Sequence, residues 1–118
     1  MVWYDKLMKK LVITIKGTEW TVKIQTNAAF ARQHGVRIFG VVYPYDREIY
    51  FNKGHLTLAI LRHELYHALL HSLDMEFTDG ISPGDMEEIC ATAYANNKLS
   101  LQDAEDRILN FILGGSHV

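Results

Sequence analysis

Hydrophobic and polar positions change period part-way along the chain. Leu11–Lys16 is rich in β-branched residues with partial alternation. Gly17-Thr18 marks a turn, and Glu19–Gln25 then alternates polar and apolar residues cleanly. The two runs predict a hairpin with Trp20, Val22 and Ile24 facing a core. The stretch before them, MVWYDKLMKK, reads as a short helix or an irregular lead-in. Asn27 is a suitable cap for a helix over Ala28–His34, which Gly35 ends. Val36–Tyr43 and Glu48–Asn52 read as two further strands joined by Pro44-Tyr45-Asp46-Arg47, and Asn52-Lys53-Gly54 breaks the chain after them.

From Leu56 onward the period is helical. Leu56–Leu73, LTLAILRHELYHALLHSL, is apolar nearly all the way round, which predicts a buried helix. Its polar residues His63, Glu64, His67 and His71 gather within roughly 100° of arc, and Arg62 falls outside them. The loop that follows, DMEFTDGISPGDM, is rich in Asp, Gly, Ser and Pro. A second helix is expected from about Asp85 to Lys98, with Ser82 and Asp85 as early caps. Ser100, with Asp103 completing a capping box and Leu99 as staple, starts a last helix. Its buried stripe is Leu101, Ala104, Ile108, Phe111 and Ile112, and it stops at Gly114-Gly115. Strands first and helices after make the fold class α+β. The expectation is a single domain over 1–118, with a small antiparallel or mixed sheet packed on a buried central helix and two further helices.

Composition changes this picture little. The 118 residues, 48% hydrophobic and 22% charged, suit one globular domain. A net charge of −2 gives no argument for nucleic acid or an acidic membrane as partner. Nine of the 12 Lys and Arg lie in residues 1–53, for which solvated lysines on strands are the simplest account. Cys90 is the lone cysteine, so no internal disulfide can form and a reducing compartment is expected. Val2-Trp3-Tyr4-Asp5 has no secretory apolar region after it, and Arg62, His63 and Glu64 interrupt the longest apolar run. A cytoplasmic protein is expected, with no membrane or direct nucleic-acid partner.

The chemistry lies in His63-Glu64-Leu65-Tyr66-His67, an H-E-x-x-H pattern inside a helix. Two histidines four apart stand one above the other, about 40° around the axis. Both imidazoles can reach one metal ion, and Glu64 projects beside it, where an attacking water would be. A catalytic zinc usually takes three protein ligands, and the candidates for the third are His71, Asp74, Asp79, Asp85, Glu87, Glu88 and Cys90. Adding His71 would string three histidines along about 12 Å of helix, too far for one ion. The small residues of the Asp85–Ala95 stretch suit close approach of two helices. Its stripe of Met86, Ile89, Cys90 and Ala93 puts Glu87 nearer the buried boundary than Glu88. Paired acids at a helix start also simply favour the helix dipole, and Cys90 reads as a buried structural cysteine.

With His63-Glu64-Leu65-Tyr66-His67-Ala68-Leu69-Leu70 followed by Glu88-Ile89-Cys90-Ala91-Thr92-Ala93-Tyr94-Ala95, the chain resembles the ImmA/IrrE family of small zinc metallopeptidases over roughly residues 36–98. Their pattern is H-E-L-x-H, then E-x-x-A-N-x-F-A some tens of residues later. The resemblance implies a zincin-like fold with His63, His67 and Glu88 as zinc ligands and Glu64 as catalytic base. Ala91, Tyr94 and Ala95 set the register that selects Glu88 over Glu87. Thr92 stands where the family usually has Asn, and Asn96-Asn97-Lys98-Leu99 replaces its typical Leu-Leu-Met-Pro. The resemblance implies a phage or mobile-element enzyme that hydrolyses a protein substrate such as a transcriptional repressor. Tyr94, Tyr66 and His71 are candidates to donate to the oxyanion. A non-catalytic binding module with a structural zinc is the competing expectation.

Overall fold

The computed structural model describes residues 8–73 and 83–114. Strands β1 (Met8–Ile15) and β2 (Thr18–Gln25) form the expected hairpin. Lys16 and Gly17 turn it at φ 50° and 80°, the left-handed geometry whose twist matches the flanking strands. Met8-Lys9-Lys10 is strand rather than lead-in, because β2 extends to Gln25 and offers partners as far back as Met8. Residues 1–7 of that expected lead-in lie outside the described residues.

Helix α1 (Asn27–His34) is capped one residue earlier than expected. The Thr26 hydroxyl accepts from the Ala29 N–H at 3.3 Å. Asn27 instead accepts from the Asn52 side-chain amide at 2.8 Å, tying the helix to the sheet. Gly35 ends α1 at φ 97°, donating its N–H to the Ala31 carbonyl. The strand expected over Val36–Tyr43 is only β3 (Gly40–Tyr43). Its partner β4 (Glu48–Asn52) passes at Lys53 into a 3₁₀ turn, so the ladder has nothing to offer residues 36–38.

The sheet is mixed, in the order β1-β2-β4-β3, with β4 parallel to β2 and antiparallel to its other neighbour. One face carries Ile13, Ile15, Trp20, Val22, Ile49 and Phe51 into the core. There it meets Leu61, Leu65 and Leu69 of α2 (Leu58–Ser72) and Leu101, Ala104 and Ile108 of α3 (Pro83–Gly114). Buried Trp20 satisfies its indole N–H on the Ser72 hydroxyl at 2.8 Å. Phe30 of α1, also buried, lies across the other face with Tyr50 and Gln25.

Two helical expectations need correction. Helix α2 is not buried all round: Leu58 is 43% exposed and Ala59 is exposed. Sheet and α3 cover only the stripe of Leu61, Glu64, Leu65 and Ala68–Leu70, leaving an open side. The break in the last helical stretch falls at Asn97 (φ −126°, ψ 16°), not at Ser100. The Asn97 side-chain amide donates back to the Ala93 carbonyl at 2.8 Å, so the kink carries its own bond and Ser100 continues as helix. The expected loop residues 74–82, Ser82 among them, lie outside the described residues. Among the described residues no helix is long and apolar enough to cross a membrane.

Candidate metal centre

Thr57 starts α2 by accepting from the Ile60 N–H at 3.2 Å, and the register from there sets out the site. His63 and His67 sit one turn apart with their Nε2 atoms 3.0 Å apart and ring planes at 76°. A tetrahedral zinc at 2.0–2.1 Å from each nitrogen would separate them by about 3.3 Å. The pair therefore fits such an ion with a few tenths of an ångström of opening. The Glu64 carboxylate completes the cluster, with one donor atom from each residue all within 4.8 Å of one another.

The three residues face different surroundings. Both histidines are exposed to a cleft of about 820 Å³ between α2 and α3, whose walls include Tyr66, Cys90, Tyr94 and Leu101. Glu64 is only 9% exposed, on the side of α2 turned to the sheet edge. There Ile38, Phe39 and Gly40 bound a smaller groove of about 330 Å³ with Ile60, His63 and Glu64. His63 belongs to both.

Electrostatics follow from this placement. Burial pushes the Glu64 carboxyl above its ordinary pKa, and His63 pulls it back only in part. Burial holds the His67 imidazole below its usual value, helped by the neighbouring His63 and His71. A depressed pKa favours the neutral ring, the form that ligates a metal. The Tyr66 phenol is pushed up to about 12 by burial and by donating to the Cys90 carbonyl. That bond commits the Tyr66 proton to α3, leaving half-exposed Tyr94 and exposed His71 as oxyanion candidates on the cleft wall.

Glu88 is exposed and stands outside the donor cluster. In helical phase it falls about 160° from Cys90 and about 120° from Tyr94, which line the cleft from the same stretch of helix, whereas position 87 falls about 60° and 20° from them. The α3 backbone runs through position 87, and its side chain lies outside the described residues. Cys90 is half-buried in the cleft wall rather than in the core.

Two features of the site escaped the sequence reading. Arg62 makes a two-pronged ion pair with Glu105, at 3.0 and 3.1 Å, bridging α2 to α3 along the cleft; 43 residues of separation left no local signal for it. Gly40 lies against Glu64, and an isolated glycine in a strand pattern is the signal that could have pointed to a close approach. Comparison of the chain with models of protein families, with curated proteins and with solved structures finds no match.

Proposed function

We propose that the protein is a zinc-dependent metallopeptidase of zincin-like fold, hydrolysing a peptide bond in a protein substrate, as its resemblance to the ImmA/IrrE type implies. The observation that carries this reading is the convergence of one donor atom each from His63, Glu64 and His67 within 4.8 Å of one another on one helix. A purely structural zinc has no need of the glutamate. Zinc held by the two histidines would supply Lewis acidity to a carbonyl and acidify nearby water. Glu64 takes the proton of the attacking water and delivers it to the leaving amine; its raised pKa suits a group that must both accept and release that proton.

The sheet edge offers the substrate a place. Asn52 N–H donates to the Phe39 carbonyl at 2.9 Å. By the alternation of an antiparallel ladder, Val41 and Tyr43 then bond to β4, and the backbone N–H and C=O of Gly40 and Val42 turn outward. An extended peptide added as a strand here would run beside Glu64. The third ligand comes from the first turns of α3: Glu88 by the register of the resemblance, Glu87 by helical phase. Zinc retention in Glu87→Ala and in Glu88→Ala distinguishes them.

The test of function is Glu64→Gln, which should keep zinc and lose peptide hydrolysis; unimpaired cleavage by that variant rejects the mechanism. The exposure of Glu88 outside the cluster favours a second reading, a non-catalytic binding module. A pull-down with a candidate repressor distinguishes the two, giving cleaved fragments for the peptidase and an intact stoichiometric complex for the module.

A further inference from the structure

We infer that Gly40 is the positioning residue of the general base: the bare backbone of β3 at this point is what seats Glu64. The inference rests on the peptidase reading above. A Cβ built on Gly40 would stand 2.8 Å from Glu64 Cγ, 3.3 Å from its Cδ and 3.1 Å from Ile60 Cγ2. Any side chain at position 40 must therefore push the glutamate away, since 2.8 Å is closer than carbon atoms pack. No positive φ requires glycine at this position. Close approach of helix and strand alone accounts for it.

Nothing else among the described residues orients the carboxylate. Among the described residues no hydrogen bond or ion pair holds the carboxylate; the residue as a whole is only 9% exposed, yet no buried side-chain oxygen goes without a partner, so the carboxylate oxygens themselves reach the groove. Its direction is set by packing: Gly40 on one side and its own helix on the other, with the acid opening into the small groove. The same glycine, which lines that groove, turns its N–H and C=O outward from the sheet edge, so base and substrate backbone would share one reference point. Alanine keeps the N–H and C=O for the substrate and changes only the space beside Glu64 and Ile60.

The test compares Gly40→Ala with the wild-type chain in zinc content, hydrolysis of a quenched-fluorescent random peptide library and thermal midpoint. The pair is then repeated in a Glu64→Ala background. Zinc content should hold, and kcat should fall by roughly 10²-fold with KM little changed, the size of effect that a misplacement of about 1 Å causes. The midpoint should drop by roughly 4–8 °C when Glu64 is present and by less than half as much when it is absent. A glycine needed only for general packing would lower the midpoint equally in both backgrounds, and that result, or an undiminished kcat, overturns the inference. If Gly40→Ala fails to fold, folding of the Gly40→Ala, Glu64→Ala double variant supports the contact, and failure of both overturns it. Zinc-loaded wild type that cleaves nothing rejects the peptidase reading, while the paired midpoints still decide whether Gly40 seats Glu64.

Discussion

The two sides of α2 are built differently. Toward β3 the helix is packed so closely that a methyl group on Gly40 has no room beside Glu64. Toward α3 it opens into a cleft of about 820 Å³, with both histidines exposed to it. Among the described residues the tight side holds the acid by packing and not by a hydrogen bond, and the open side leaves the two nitrogens facing each other with room for a third ligand and for substrate. In the proposed enzyme, the base is preorganised by the sheet, and the ligand set is completed from α3 across the cleft. Substitutions on the tight side should change rate with zinc retained, and substitutions on the open side should change zinc or substrate affinity.

The largest effect tests the tight side. Glu64→Gln should cost roughly 10²–10⁴-fold in kcat, the usual worth of a general base, with zinc stoichiometry unchanged by elemental analysis. Loss of zinc in that variant would instead make Glu64 a ligand and erase the distinction between the two sides. Next is the support beneath them. Trp20→Ala removes a fully buried side chain that also bonds Ser72 at the end of α2, and chemical denaturation should show a loss of about 3–5 kcal/mol. A much smaller loss would mean that the sheet does not anchor the helix.

The open side is held partly by the Tyr66 phenol on the Cys90 carbonyl. Tyr66→Phe should cost about 1 kcal/mol in stability and raise KM more than it lowers kcat; the reverse split would give Tyr66 a direct part in the reaction. The smallest effect lies away from both sides. His34 packs against Phe30 and Tyr50 and reaches Tyr43 at 2.8 Å and Gln25 at 3.2 Å, and burial lowers its pKa. A group depressed in the fold contributes stability above its unfolded pKa, and that contribution is lost as pH falls from about 6.5. Zinc-free protein should lose midpoint temperature between pH 7.5 and 5.5, and His34→Gln should flatten part of that slope. An unchanged slope would remove His34 from the balance.

What was legible in the sequence was local. Alternation over Glu19–Gln25 gave Trp20, Val22 and Ile24 to the core, and the H-E-x-x-H spacing brought His63, Glu64 and His67 together, because the two-residue period of a strand and the 3.6-residue period of a helix fix which residues share a face. What depended on distant partners was not. Residues 36–38 have strand composition but no ladder to join, and the apolar ring of α2 hid that one side would stay open. Thr26 displaced Asn27 as cap because Asn52 engages Asn27 from the sheet. The tight seat of Glu64 depends on a glycine 24 positions away, set there by strand pairing that no local pattern encodes.

The most direct test is the metal itself. Elemental mass spectrometry on purified wild type and His67→Ala, each reconstituted with zinc and desalted, should give about one zinc per wild-type chain and none in the variant. Wild type without zinc after reconstitution, or a His67→Ala variant that retains a full equivalent, would contradict a metal centre on α2 and the peptidase function built on it.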